Sequence, residues 1–198
     1  LYGFAASRIT MRTSAGWRFS CTAVASAVGA ISGGMLGFVT LGERRWEEFS
    51  RWAEQGERLR SELLFLVDED TRAFDRIMAA MSLPKSTDEE AAARKAAITE
   101  ATKGAIRAPL RTMQVCVESM GLMKAMAEKG LPASVSDAGV GALCARAGAL
   151  GAYLNVRINC GGMDDAAFKT AVLQEADALK ARAEAAEAEV MALTLAKV

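Results

Sequence analysis

Histidine is absent from this chain of 198 residues, and its absence excludes several kinds of chemistry. A Ser-His-Asp triad, a histidine metal ligand and the imidazole that commonly moves protons near neutral pH are all ruled out. Acid–base catalysis in this protein must therefore use Asp, Glu, Lys, Cys or Tyr. Burial and neighbouring groups would then set the pKa of the side chain that does it.

The chain also lacks net charge, because 24 Lys and Arg residues balance 24 Asp and Glu residues. No excess of positive charge indicates nucleic acid or an anionic membrane as a partner. The four cysteines are widely spaced and form no CxxC pair. Dispersed thiols fit a reducing cytosol better than a disulfide scaffold or a zinc site, so we expect a cytoplasmic protein.

Proline is scarce, with three residues in the chain, whereas alanine and methionine are abundant, and this composition favours helices. Apolar residues recur at steps of three and four from Trp46 to Met81, which predicts a long amphipathic helix. This helix should end at Leu83-Pro84, because the residue before proline avoids helical angles. Strand-type alternation of useful length does not occur. The sequence therefore predicts an all-α, multihelical, up-and-down antiparallel bundle with long helices.

Local signals mark the start of the second helix. Two overlapping capping boxes precede it, and they pair Ser86 with Glu89 and Thr87 with Glu90. Pro109 either kinks this helix or begins a new one that runs to Lys129.

Similar signals mark the later helix ends. Gly130 should cap the helix that carries Lys129 in its last turn. Ser136 is the predicted N-cap of the helix that ends near Asn159. Asp164-Asp165 should then open the last helix, which runs to the C-terminus.

One segment, Cys21 to Gly42, contains no charge, and Arg8, Arg12 and Arg18 precede it. This pattern is typical of a signal peptide or a membrane anchor. About half of the segment is Ala, Gly, Ser or Thr, however, and small residues partition weakly into a bilayer. We therefore interpret it as a buried central helix, with a membrane segment as the alternative.

The stretch from Ser134 to Asn159 suits a site or an interface better than a plain core. Asp137 lies beside the predicted helix start, where the helix dipole favours a carboxylate anion. Asp137 is therefore our first candidate for a functional carboxylate, with an ordinary capping acid as the alternative. Asn155 and Asn159 share one helical face, one turn apart, and either bind a ligand or bridge to another helix.

Two further charged residues are candidates. Asp70 lies on the apolar stripe with Leu66 and Phe74, where an acid is costly unless it is paired. It is therefore either functional or half of a structural ion pair. Lys85 follows the proline break and is a cation that binds substrate, a proton donor or a solvated loop lysine.

Five blocks of sequence, in order, carry a resemblance to a known family. They are Asp70 to Phe74, Met78 to Glu90 with its Leu-Pro-Lys-Ser-Thr-Asp-Glu-Glu run, Ala108-Pro109-Leu110, Ser136-Asp137, and Gly151 to Asn159. These blocks resemble the cyclodeaminase/cyclohydrolase family, which comprises the formiminotetrahydrofolate cyclodeaminase domain of formiminotransferase-cyclodeaminase and the stand-alone methenyltetrahydrofolate cyclohydrolase. The resemblance covers about residues 21–190. It implies a multihelical, usually dimeric, cytoplasmic enzyme of folate one-carbon metabolism.

The chain departs from this family near its beginning. Members carry Pro-Gly-Gly-Gly-Ser before the first apolar helix, and of the matching residues 16–20 only Ser20 agrees. We therefore treat residues 1–20 as an atypical segment, either frameshifted or disordered, and residues 21–198 as one cyclodeaminase/cyclohydrolase-like domain. Codons that encode residues 15–19 can read Pro-Gly-Gly-Gly after a shift of one base. Sequencing the coding DNA tests the frameshift hypothesis.

The resemblance implies one of two reactions at the same carbon. In the cyclodeaminase reaction, N10 of 5-formiminotetrahydrofolate attacks the formimino carbon, ammonia leaves, and a methenyl bridge forms. In the cyclohydrolase reaction, water attacks that bridge carbon and 10-formyltetrahydrofolate results. Both need a carboxylate that stabilises cationic nitrogen and a group that moves protons. Neither requires a metal or a cofactor beyond the tetrahydrofolate substrate.

We expect the cyclodeaminase reaction, and the alternatives are the cyclohydrolase reaction and an inactive homologue that serves as a binding or structural module. The resemblance and the residue chemistry together predict two catalytic carboxylates, Asp137 and Asp70. The predicted substrate-binding residues are Lys85, Ser136, Asn155, Asn159 and Ser20.

The length of one predicted helix limits how these residues can cooperate. Asp137 and Asn159 are separated by about 33 Å if one continuous helix joins them. They would then serve different parts of the folate molecule or sites shared across a homodimer. The stripe of Gly141, Gly148 and Ala152 suits close packing of helices, and a dimer contact is a second use for it.

Overall fold

The computed structural model describes residues 43–198, with side chains from Glu47 onward. Over this range the chain forms four α-helices, one short 3₁₀ turn and no strand. The elements are α1 (Glu43–Met81), α2 (Asp88–Lys129), the turn Pro132–Ser134, α3 (Val135–Cys160) and α4 (Ala166–Leu195). Short connections make consecutive helices run antiparallel, so the predicted all-α bundle is confirmed.

Helix α2 is the centre of the bundle, because α1, α3 and α4 all pack against it. Helices α3 and α4 also pack on each other, whereas α1 contacts mainly α2. The core between them consists of fully buried apolar side chains, among which the largest are Phe49, Leu59, Leu63, Ile106, Met113, Met120, Met123 and Met126. The bundle therefore has α1 on one side of α2 and the α3–α4 pair on the other.

The connection between α1 and α2 follows the predicted signals. Helix α1 ends at Met81, close to the predicted break at Leu83-Pro84. Thr87 is the N-cap of α2, and its hydroxyl accepts the backbone N–H of Glu90 at 3.2 Å. The Glu90 carboxylate accepts the backbone N–H of Thr87 at 3.3 Å, which completes the capping box. Of the two predicted boxes, the one that begins at Thr87 forms.

Pro109 lies inside α2, so no new helix begins there. Proline has no N–H, and the carbonyl of Ala105, four residues earlier, therefore loses its usual helical donor. The side-chain amide of Asn159 in α3 supplies that donor, with its Nδ2 at 3.0 Å from the Ala105 oxygen. The helix continues through the proline, and the carbonyl that proline leaves unpaired is satisfied by a neighbouring helix.

The ends of the other helices confirm two predictions and correct one. Gly130 caps α2 and donates its N–H to the Met126 carbonyl at 2.9 Å. Asp165 caps α4 by accepting the N–H of Phe168 at 3.0 Å. The prediction that Ser136 is an N-cap is wrong, because the turn after Pro132 leads directly into a helix that starts at Val135.

Ser134 takes the N-cap position of α3 instead, without a side-chain hydrogen bond to the helix. Its backbone angles (φ −114°, ψ 15°) are outside the extended region in which a capping hydroxyl usually reaches the first turn. Ser136 and Asp137 follow in that first turn, and both are exposed.

The predictions for residues 1–20, for Ser20 and for the apolar segment Cys21 to Gly42 lie outside the described residues. Over residues 43–198, no helix combines the length and the apolar character needed to span a membrane.

Candidate functional site

A cleft opens where the α1–α2 loop and the start of α2 face the α3–α4 loop. Its volume is about 340 Å³. The lining side chains are Lys85, Ala91, Arg94, Lys95, Ile98, Thr99, Thr102, Gly162, Met163 and Asp164. Of the predicted site residues that the structure describes, Lys85 alone lines this cleft.

The cleft carries more positive than negative charge, because Lys85, Arg94 and Lys95 line it with a single carboxylate, Asp164. Lys95 Nζ lies 3.3 Å from an Asp164 oxygen, and this pair joins α2 to the loop before α4. Arg94 donates from Nη2 to the Met81 carbonyl at 2.7 Å, which satisfies the end of α1. The cations therefore both shape the cleft and leave it attractive to an anion.

Below the cleft, Asp165 and Lys103 fix the start of α4 against α2. Lys103 Nζ lies 3.0 Å from an Asp165 oxygen. The backbone N–H of Phe168 and then this lysine hold the pKa of the Asp165 carboxyl below its ordinary value. The same pairing raises the pKa of Lys103. This contact keeps the α3–α4 loop, which forms one wall of the cleft, in place.

Asp70 lies on α1 in the same half of the bundle as the cleft. It is half-buried, and it is engaged by a partner, so it is not a free carboxylate. Its neighbour Glu69 pairs with Arg72 and Arg76. Hydrogen bonding from Arg76, with a smaller contribution from Arg72, lowers the pKa of Glu69. Asp70 therefore adjoins a cluster of fixed charges.

Asp70 and Asn159 lie at a similar level along α2. A Cβ placed on Gly104 would lie 3.8 Å from Arg76 Nη2, so Arg76 sits beside Gly104. Asn159 contacts α2 at the next residue, Ala105. Asp70 precedes Arg76 by about 9 Å along α1. The structure therefore brings Asp70, Asn159 and the cleft into one half of the molecule.

The two asparagines of α3 differ in their contacts. Asn159 bridges to α2 through the Ala105 carbonyl, which is the second of the two alternatives drawn from the sequence. Asn155, one turn earlier, is half-buried, and no residue within 43–198 offers its amide a hydrogen bond. Among the described residues, the two asparagines therefore differ in that Asn159 alone has a hydrogen-bond partner.

Asp137 and Ser136 lie at the opposite end of the bundle. Helix α3 is continuous from Val135 to Cys160, so Asp137 is about 33 Å from Asn159 along its axis. The Asp137 carboxylate is exposed, and the described part of the chain gives it neither an ion pair nor a hydrogen bond. One copy of the chain therefore does not assemble Asp137 with Asp70, Asn159 and Lys85.

The stripe of Gly141, Gly148 and Ala152 is buried within the chain. The predicted close packing of helices is therefore confirmed inside the chain, whereas the second use predicted for the stripe, as a dimer contact, is wrong. Its small side chains permit close packing inside the protomer, and they are not accessible to another copy.

Sequence reasoning missed most of the cleft. Lys95, Thr99, Thr102 and Asp164 show no motif, and Asp164 reaches the cleft from a loop distant in sequence. Thr99 and Thr102 do lie one turn apart on α2, near the predicted capping box, which is a weak signal of a polar helix face. Among residues 43–198, no group of three or more His, Cys, Asp and Glu side chains is arranged to hold a metal ion.

Comparison with known proteins identifies the family. A model of the formiminotransferase-cyclodeaminase family matches residues 20–178. The methenyltetrahydrofolate cyclohydrolase of Methylorubrum extorquens is 42% identical over 165 residues, which cover 81% of this chain and 79% of that protein. The formimidoyltransferase-cyclodeaminase of Gallus gallus is 36% identical over 88% of this chain. The match spans 33% of that longer protein.

The fold agrees with a solved structure. The formiminotetrahydrofolate cyclodeaminase of Thermotoga maritima superposes with a TM-score of 0.77, covering 93% of this chain and 87% of that one, at 22% sequence identity. At this identity the likeness supports the fold alone. The chain belongs to the formiminotransferase-cyclodeaminase family, whose named members are folate one-carbon enzymes.

Proposed function

We propose that this chain is a methenyltetrahydrofolate cyclohydrolase, which adds water to the bridge carbon of 5,10-methenyltetrahydrofolate. One observation favours this reaction over the other reaction of the family. The relative named as a cyclohydrolase is matched over most of its own length and at higher identity than the bifunctional cyclodeaminases, of which this chain spans about a third.

The chemistry requires a carboxylate and a route for protons. The water oxygen bonds to the cationic bridge carbon, and a base accepts one water proton. The bond from that carbon to N5 then breaks, with its electron pair returning to N5, and the formyl group stays on N10. A second proton leaves the former water oxygen as the formyl group forms, and N5 takes up one proton, so the reaction releases one proton overall.

Asp70 is the carboxylate that the fold supports best for the cationic bridge. It is half-buried, so its charge acts in a less polar environment than an exposed carboxylate would. It also shares one half of the bundle with the cleft. Asp137 is exposed at the other end, and we assign it the second carboxylate role only in combination with another copy of the chain.

The cleft suits the anionic glutamate tail of folate. Lys85, Arg94 and Lys95 present three cations against one carboxylate, so an acidic group is favoured there. The tail lies at the far end of folate from the pterin. A molecule with its tail beside Lys85 therefore extends along α1 toward Asp70, and the amides of Asn155 and Asn159 are then candidates for the pterin edge. Ser136 and Ser20 remain proposed contacts from the sequence.

A cyclodeaminase is the second candidate, because the Gallus gallus relative matches 88% of this chain. Both reactions involve the same carbon and the same cationic character, so the same carboxylate serves either. We further propose that the protein acts as a homodimer in the cytoplasm and needs no cofactor beyond its folate substrate.

The test is spectroscopic turnover of purified protein with 5,10-methenyl- and 5-formiminotetrahydrofolate. Hydrolysis of the first substrate faster than the buffer blank, without release of ammonia from the second, is the expected result. Ammonia release would instead identify a cyclodeaminase. No turnover of either substrate would overturn both enzymatic proposals and leave a binding or structural module.

The assignment of Asp70 has a matched control on the same helix. Asp70→Asn is expected to lower kcat by about 100-fold or more, because it removes the charge that stabilises the cationic bridge. Asp75→Asn, at an exposed carboxylate of α1, should leave kcat unchanged. Equal activity of the two variants would refute the role of Asp70.

A further inference from the structure

Two threonines of α2 line the cleft, and the hydroxyl proton of each is bonded to the helix backbone. Thr99 Oγ1 donates to the Lys95 carbonyl at 3.0 Å, and Thr102 Oγ1 donates to the Ile98 carbonyl at 2.8 Å. Each bond runs to the carbonyl four residues earlier, which is a usual contact of threonine inside a helix. Neither hydroxyl therefore has a proton left to donate to a ligand.

A threonine hydroxyl that has donated its proton can still accept a hydrogen bond through its two lone pairs. Among residues 43–198, no group donates a hydrogen bond to the side-chain oxygen of Thr99 or Thr102. Both residues are half-buried, and they lie three residues apart, so their side chains are neighbours on one face of α2. The two threonines thus give this wall of the cleft a pair of acceptors.

The three cations of the cleft differ in how far they are engaged. Arg94 donates twice to the Met81 carbonyl, from Nε at 3.1 Å and from Nη2 at 2.7 Å. Lys95 pairs with Asp164. Lys85 has neither an ion pair nor a hydrogen bond within residues 43–198. Lys85 is therefore a cleft cation whose charge no described carboxylate offsets.

These groups together define the chemistry of a complementary ligand. Lys85 favours an anion, and the threonine oxygens favour an uncharged hydrogen-bond donor beside it. A free amino acid does not fit, because its ammonium group would lie among three cations. Acylation of the amine removes that charge and leaves one N–H, one carbon atom away from the carboxylate. An N-acylated amino acid therefore matches the cleft.

We infer that Thr99 and Thr102 are specificity-determining residues of the cleft, whose oxygens accept the amide N–H of an N-acylated glutamate while Lys85 binds its carboxylate. This inference rests on the proposed function, in which the glutamate end of folate occupies the cleft. That end is an N-acylated glutamate, because its nitrogen carries the aminobenzoyl group. The threonines lie away from the reacting carbon, so they should affect KM and leave kcat unchanged.

Replacement of the amide by an ester tests the role of the N–H. The probe is p-aminobenzoylglutamate, and the comparison compounds are free glutamate and the ester in which oxygen replaces the N–H. In titration calorimetry on the full chain, the amide should bind about 3- to 10-fold more tightly than the ester, which is the effect of one neutral hydrogen bond. Binding of either comparison compound as tightly as the amide, or no binding of the amide, would overturn the inference.

Substitutions of the two threonines test which groups accept the N–H. Valine has the shape of threonine without the hydroxyl, so Thr99→Val and Thr102→Val should each lower the preference for the amide, and the double variant should abolish it. Serine at both positions keeps the acceptors and should retain the preference. Thr71→Val is the matched control, because Thr71 donates to the Val67 carbonyl at 3.4 Å in the same way and does not line the cleft.

A double valine variant that still prefers the amide would overturn the role of the threonines. If the double variant does not fold, the two single variants decide the question, and retention of the wild-type preference by both would overturn it.

Turnover separates this inference from the proposed function. With 5,10-methenyltetrahydrofolate, the double valine variant should raise KM by about 3- to 10-fold at unchanged kcat. An active wild type whose KM the variant shares would refute the role of the threonines and leave the proposed function intact. A wild type without turnover, whose preference for the amide is lost in the valine variants, would refute the proposed function and retain the recognition of an N-acylated amino acid.

Discussion

The two halves of α2 differ in what surrounds them. No residue from Asp88 to Gly104 is buried, and this half borders the cleft and carries its threonines and cations. From Ala105 onward buried residues occur in every turn, including Met113, Met120 and Met123. One continuous helix therefore borders the cleft in its first half and forms the centre of the core in its second.

Methionine suits the second half for a physical reason. Three other helices pack against α2, and an unbranched side chain with three rotatable bonds fills irregular space between packed helices. Among the described residues, the first half has α1, the loops and the start of α4 as its neighbours, and none of its own residues is buried. We infer that stability resides mainly in the second half, while binding depends mainly on the first.

The largest expected effect follows from truncating the core half. Met120→Ala should lower the free energy of unfolding by about 2–5 kcal/mol, because Met120 is fully buried and a cavity remains. Ile98→Ala is the control in the same helix, at a half-buried position lining the cleft, and should cost less than about 1 kcal/mol. Denaturant unfolding measures both, and equal losses would contradict the contrast between the halves.

A substitution at the boundary between the two halves of α2 should have a smaller effect on the free energy of unfolding. Asn159→Ala leaves the Ala105 carbonyl without a donor and should cost about 1–3 kcal/mol of unfolding free energy. In a Pro109→Ala background the backbone regains its own N–H, so the same substitution should cost less.

A double-mutant cycle by denaturant unfolding measures this coupling. Asn155→Ala, one turn away and without a hydrogen bond among the described residues, should cost little in either background. An Asn159→Ala cost that is the same in the wild-type and the Pro109→Ala backgrounds would show that the amide does not replace the missing donor.

The smallest effect is expected from a substitution beside the cleft, and it should change substrate binding without changing stability. Lys85→Gln should raise KM for folate with several glutamates by about 10-fold, because it removes one charge-assisted contact to the tail, and should leave unfolding unchanged. Lys129→Gln, in the other half, removes a cation that pairs with Glu48 at 2.7 Å and should leave KM unchanged. Initial-rate kinetics on folates with one and with three glutamates tests this, and an unchanged KM for Lys85→Gln would place the tail elsewhere.

The sequence predicted much of the fold because helix signals are local. Thr87 with Glu90, Gly130 and Asp165 each contact residues within one turn, so their roles follow from spacing alone. The prediction that Ser136 caps α3 was wrong because the backbone angles of the preceding turn, and not the type of residue, decide which residue is the N-cap.

The candidate site was predictable only in part. Lys85 was found because it follows a helix break, and the structure places it in a cleft. Lys95 and Asp164 meet across that cleft from distant parts of the chain, and no local pattern connects them. The difference between Asn155 and Asn159 likewise depends on which of them faces Pro109 across two packed helices.

The sequence by itself determined the all-helical class, most helix ends, the family resemblance and the exclusion of histidine chemistry. These follow from composition, periodicity and contacts within a turn. The tertiary structure alone decided that Asp137 lies far from Asp70 within one copy, that the glycine stripe is buried, and that an apolar face of α3 is exposed. Each of these depends on how helices pack, and packing joins residues whose separation in the chain carries no signal.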